Sequence, residues 1–117
     1  METLFYRNVL YYDSYYFRFF STLSPKVQLK FNWTIQLIAT QERISEKFFK
    51  HLSGTSGLYE IRIEYGSNQY RLFSFFDEGQ LIIIINGFQK KSKKTPPREI
   101  ELAEQIKKQY YYEKENT

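Results

Sequence analysis

The chain has no cysteine. That excludes a disulfide framework, a thiolate metal site and a cysteine nucleophile. A single histidine, His51, excludes a multi-histidine metal centre and leaves one candidate for imidazole acid–base chemistry. One histidine also gives no basis for a Ser/His/Asp set. Gly54-Thr55-Ser56-Gly57 lacks the spacing and the lysine of a P-loop. The longest uninterrupted aliphatic run is five residues, Leu81 to Ile85. A bilayer span needs about 20 apolar residues, so no membrane partner is expected. The start, Met1-Glu2-Thr3-Leu4-Phe5-Tyr6-Arg7, has no basic head, apolar stretch and small-residue cleavage site. It reads as unprocessed and cytoplasmic.

What the chain has in excess is aromatic surface. Eleven Tyr, eleven Phe and one Trp reach 20% of 117 residues. That fills a sizeable core, excludes extended disorder, and fits one domain over residues 1–117. The net charge is +4, and it is uneven. Lys90, Lys91, Lys93, Lys94 and Arg98 fall within nine residues with no acid among them. Like charges repel, so such a cluster fits either an anionic partner or a solvated basic loop.

Residues 4–12 favour a first strand. Asp13 or Ser14 caps a short helix through Leu23, with Phe17, Phe20 and the neighbouring tyrosines inward. Ser24-Pro25 restarts the chain as a second helix to Thr40, with Val27, Phe31, Ile35 and Ile38 at helical spacing. Leu29, Trp33 and Leu37 widen that stripe. The two helices form a hairpin. A short helix is expected over Ser45–Leu52, and Ser53 to Gly57 breaks it. The period then changes to two. Strands are expected over 58–65, 69–76 and 81–85, joined by turns at Gly66-Ser67-Asn68 and Asp77 to Gln80. The Ile run of the third implies burial on both faces. Thr95 as N-cap and Pro96 open a last helix, with Ile100, Ala103, Ile106 and Tyr110 inward. The order predicts an α+β fold, with helices on one face of a mainly antiparallel sheet and the other face free for polar residues.

Three constellations carry candidate chemistry. Glu60, Arg62 and Glu64 share one strand face, and Arg71 stands on the next strand. Either a cross-strand ion pair or a phosphate-facing surface fits them, because arginine presents a planar fork to phosphate oxygens. The second is Asn86-Gly87-Phe88-Gln89-Lys90-Lys91-Ser92-Lys93-Lys94-Thr95-Pro96, a basic segment leading into a helix N-terminus. Phe88 with Tyr70 or Tyr110 to Tyr112 could stack bases, although such rings are more often core in a chain this rich in Tyr and Phe. The third, His51, is expected as a surface or capping residue.

Gly57-Leu58-Tyr59-Glu60-Ile61-Arg62-Ile63, Tyr70-Arg71-Leu72-Phe73, Asn86-Gly87-Phe88-Gln89-Lys90-Lys91 and Lys94-Thr95-Pro96 with Glu99-Ile100 resemble the phage-derived, HigB-like branch of the RelE/ParE toxin superfamily. The likeness covers residues 40–113. The first 40 residues fit only in their helical-hairpin layout, and the aromatic-rich start departs from the usual pattern.

The resemblance implies a RelE-like fold and a toxin of a type II toxin–antitoxin pair, neutralised by a helix-turn-helix antitoxin. It implies metal-free, cofactor-free cleavage of mRNA on the ribosome. Arg62 and Arg71 match the family's strand arginines, Lys90 and Lys91 its basic pair, and Lys94 a further basic position. The histidine some relatives carry near the C-terminal end of the sheet is absent. Glu60 or a lysine of lowered pKa is then the candidate base, with Arg62 and Arg71 on the phosphorane and Lys90 or Lys91 at the leaving group. Lys93, Lys94, Arg98 and Tyr70 would bind flanking RNA. Two other classes stay open on the same fold: a ParE-type gyrase inhibitor, and a non-catalytic RNA- or ribosome-binding module.

Overall fold

In a computed structural model, which describes residues 5–117, the elements run β1 (Asn8–Tyr11), α1 (Tyr15–Phe20), α2 (Pro25–Thr40), β2 (Phe49–His51), β3 (Tyr59–Tyr65), β4 (Asn68–Asp77), β5 (Leu81–Lys90) and α3 (Pro97–Glu115). The expected α+β, RelE-like layout is present. Five strands form one sheet in the order β1-β5-β4-β3-β2. β1 pairs parallel with β5, and every other pairing is antiparallel. Leu4, the first residue of the expected opening strand, lies outside the described residues.

Local signals explain the helices. Ser24 adopts an extended backbone, its hydroxyl accepts from the Val27 amide, and Pro25 occupies the first helical position. Val27, Phe31, Ile35 and Ile38 of α2 then meet Ile61, Ile63, Tyr70, Leu72, Ile82 and Ile84 of the sheet. α3 covers the other face. Its Ala103 and Ile106 pack on Leu58, Phe73, Phe75, Ile83 and Ile85. Helices thus bury both faces of the sheet, where one free face was expected. The alternation of β5 shows why, since successive isoleucines point to opposite cores.

Other expectations are corrected. The helix expected over Ser45–Leu52 is absent; Phe49–His51 is an edge strand on β3. Phe17, Leu29 and Trp33, read as inward, are 52%, 67% and 50% exposed. Tyr16, one of the tyrosines expected inward, is the buried residue of α1. α3 begins one residue later than expected, with Pro96 rather than Thr95 at its N-cap. At its far end α3 is pinned by Asp77, which accepts hydrogen bonds from Tyr110 Oη at 2.6 Å and Lys114 Nζ at 2.8 Å.

The largest correction concerns β5, which does not end at Ile85 but continues to Lys90. Leu72 pairs with Gly87, whereas Ser74 pairs with Ile84. Phe73 therefore faces two residues, Ile85 and Asn86, in a β-bulge that shifts the alternation of β5 by one. Gly87 marks a close approach of side chains to the backbone. A Cβ there would lie 2.6 Å from Leu72 Cδ2 and 2.7 Å from Phe19 Cδ2.

Candidate phosphate-binding site

Period-two alternation puts Glu60, Arg62 and Glu64 on the α3 face of β3, opposite Ile61 and Ile63. On β4 it puts Gln69 and Arg71 on that face. On β5 the bulge brings Phe88 and Lys90 there as well. Phe88 stacks on Phe73, with ring centroids 5.7 Å apart. The open end of the α3 face therefore gathers cations from three adjacent strands.

Arg62 and Arg71 are direct cross-strand partners. Like charges so placed repel, and Glu60 lies between them as counter-charge. Glu60 Oε1 is 3.4 Å from Arg62 Nη2 and 3.8 Å from Arg71 Nε. Thr95 Oγ1 donates to Glu60 Oε2, which ties the approach of α3 to the same carboxylate. Glu60 is 1% exposed and Arg71 is 5% exposed. Arg71 donates from Nη1 to the Tyr70 carbonyl at 3.0 Å and from Nη2 to Gln69 Oε1 at 3.2 Å. Its Nε has no hydrogen-bond partner. Arg62 is more accessible, with 27% of its side chain exposed. Burial lowers the Arg71 pKa from its ordinary value, and the nearby Glu60 charge opposes that shift.

Lys90 completes the group. Its pKa is lowered first by burial and then by the neighbouring Arg71 charge. Lys90 also lines an open basin of about 700 Å³ with Gln69, Lys91 and Lys93 at the tip of the β3–β4 hairpin. Lys91 and Lys93 are exposed there and make none of the contacts to Glu60. Lys94 and Arg98 are exposed on either side of the Thr95-Pro96-Pro97 approach to α3.

Of the residues expected at a site, the structure thus brings together Glu60, Arg62, Arg71 and Lys90. Lys91 and Lys93 form a rim beside them. Tyr70 is placed elsewhere. It is 5% exposed on the opposite face, edge-on to Phe31 at 5.6 Å, so its ring is core and offers no face to a base. Tyr110 and Tyr111 are likewise occupied, packing on Phe75. His51 sits exposed at the end of β2, edge-on to Tyr59, far along the strand from the Arg62 pair.

Sequence reasoning missed the hydroxyl of Thr95 as a partner of Glu60, and Gln69 as a partner of Arg71. It also missed Asn86, which is 6% exposed with neither side-chain polar atom hydrogen-bonded. Gln69 was within reach, because it is two residues from Arg71 and shares its face. Thr95 was not, since its contact spans 35 positions.

Among the described residues no group of three or more His, Asp or Glu is gathered to hold a metal ion. None of their helices is long and apolar enough to cross a membrane.

No curated protein matches the chain. A family profile does, over residues 18–108, spanning α2, the meander β3–β5 and most of α3. The chain belongs to the phage-derived protein Gp49-like family (DUF891), a family associated with toxins of toxin–antitoxin pairs.

Proposed function

We propose that the chain is the toxin of a type II pair, of the HigB-like branch, and that it cleaves mRNA on the ribosome without a metal. One observation carries the reading: Arg62 and Arg71 flank one buried carboxylate, and Lys90 from a third strand joins them on the same open, basic face of the sheet. A surface ion pair does not need two extra cations around a buried acid. A phosphodiester does, because its charge grows as the phosphorane forms.

RNA cleavage through the 2′-hydroxyl has three demands. The hydroxyl loses its proton, the phosphorane gains charge, and the departing 5′-oxygen gains a proton. Arg62 and Lys90, the accessible cations, would meet the phosphate oxygens. Arg71 would add charge from below as a positioning residue. Glu60 is engaged by Arg62, Arg71 and Thr95 and is closed to solvent. It would therefore orient the guanidinium groups rather than take the proton. Lys90, whose pKa is lowered by burial and by the Arg71 charge, would meet the phosphate as a cation and give its proton to the departing 5′-oxygen, while the 2′-hydroxyl proton would pass to water or a ribosomal group. Lys91, Lys93, Lys94 and Arg98 would bind flanking phosphates. The ribosome would supply the in-line orientation this small inventory lacks. A helix-turn-helix antitoxin would cover the basic edge.

The test is primer extension on an mRNA in programmed ribosomes. The wild-type chain should cut, and Arg62→Ala and Lys90→Ala should each lower the rate by about 10²–10³, the usual effect of removing one transition-state donor. An intact message with a folded wild-type chain would overturn the reading. DNA damage in that case would favour a gyrase inhibitor instead.

A further inference from the structure

A second cleft opens on the other side of Arg62. It holds about 310 Å³ and is lined by Lys30, Trp33, Lys47, Phe48, Arg62 and Glu64. Trp33 projects from α2 and is 50% exposed. Phe48, just before β2, meets it edge-on at 5.7 Å and 69°. The Lys30 ammonium lies 4.5 Å from the Trp33 ring centroid, and the Lys47 ammonium 5.6 Å from that of Phe48. Three cations and one acid therefore surround two aromatic rings. Cation–π contacts hold the two ammonium groups at the rings, and the half-exposed tryptophan with Arg62 nearby leaves an aromatic, basic surface facing solvent.

Arg62 links this cleft to the phosphate site. Its guanidinium reaches Glu60 at 3.4 Å and approaches the carbonyl of Glu46, the residue before Lys47, at 3.5 Å. The two sites therefore share one group. From Lys90 on β5 to Lys47 beside β2 is three strand spacings, roughly 15 Å at the usual separation. A positively charged track with interleaved aromatic rings suits a single nucleic acid strand, whose bases stack while its phosphates meet cations.

We propose that the Trp33–Phe48 cleft is a nucleobase-stacking subsite for single-stranded RNA, next to the phosphate held by Arg62. It rests on the reading of the Arg62–Lys90 cluster as a phosphodiester site. Glu64 at its rim accepts hydrogen bonds, which favours a base with an N–H edge.

Trp33 is the only tryptophan of the chain, so its emission reports this cleft alone. The test titrates the full chain with an eight-nucleotide, 2′-O-methylated RNA, which cannot be cut, and follows emission and anisotropy together. Saturable quenching is expected. Trp33→Ala should weaken binding about tenfold, within the range of one lost base stack. Trp33→Phe should restore most of it, which separates stacking from misfolding. Lys30→Ala with Lys47→Ala should flatten the salt dependence. RNA binding that is lost in Lys90→Ala but leaves Trp33 emission unchanged overturns this inference and spares the phosphate site. Quenching without mRNA cleavage has the reverse effect: the subsite stands and the nuclease reading falls. Quenching by an acidic polypeptide such as polyglutamate, but not by RNA, assigns the cleft to a protein partner and overturns the proposal.

Discussion

Glu60→Gln is the most informative single change in the site. The carboxylate is buried, and among the described residues it is the only acid paired with Arg71, whose side chain is 6% exposed. Removing one partner of a buried pair costs about 3–5 kcal/mol, because the remaining charge is stranded. The 3.8 Å gap between Arg71 Nε and Glu60 Oε1 is too long for a hydrogen bond, so the low end applies. Arg62 is partly exposed and turns to water at little cost. The expected loss is therefore about 3 kcal/mol, or a fall of roughly 10 °C in Tm for a domain of this size. Urea denaturation gives the number. In an Arg71→Met background no stranded guanidinium remains, and the cost of Glu60→Gln should drop to about 1 kcal/mol. Equal costs in the two backgrounds, or a loss below about 1 kcal/mol in the wild type, would refute Glu60 as the counter-charge that lets the cations gather.

Three further outcomes follow from other parts of the fold. Gly87→Ala puts a methyl against Leu72 and Phe19 and should cost about 1–3 kcal/mol in the same denaturation assay, since both neighbours belong to the core. Tyr110→Phe removes the 2.6 Å bond to Asp77 and should cost about 1.5 kcal/mol at neutral pH. Burial pushes the Asp77 carboxyl up, but hydrogen bonds from Lys114 and Tyr110 outweigh it and hold the pKa below its ordinary value. That stabilisation is present above the unfolded value near pH 4 and is lost as pH falls through the folded one, so the gap between Tyr110→Phe and wild type should narrow in acid, as acid-titration denaturation would show. With Lys90 acting in its protonated form, the cleavage rate should fall as pH rises through its pKa, with the midpoint below the ordinary lysine value of about 10.4. Lys90→Arg, which keeps the charge and cannot lose its proton, should abolish that inflection.

How far the sequence discloses this molecule depends on the range of the forces involved. α2 is legible to its ends because Ser24, Pro25 and the Val27–Ile38 stripe act within one helix. β2 is not, because three residues form a strand only by pairing with β3. The exposure of Trp33 and Leu29 escapes a periodicity count, since a broad apolar stripe does not say which edge the sheet covers. In the site, Glu60 and Arg62 are legible as a shared face. The position of Lys90 on that face is not, because it depends on the bulge opposite Phe73. Tyr70 carries a plainer lesson. Neighbours on a strand point opposite ways, so Arg71 at the site already excludes Tyr70 from it.

The central claim is that Arg62 and Lys90 grip one phosphodiester from adjoining strands. Affinity for the uncleavable RNA, measured by anisotropy across a salt series, tests it most directly. Each phosphate contact on a single strand adds about 0.7 to the slope of log affinity against log salt. The account predicts that Arg62→Ala and Lys90→Ala each flatten the slope by roughly that amount, and that the double variant flattens it by about twice as much. Slopes unchanged from wild type in all three variants would contradict it.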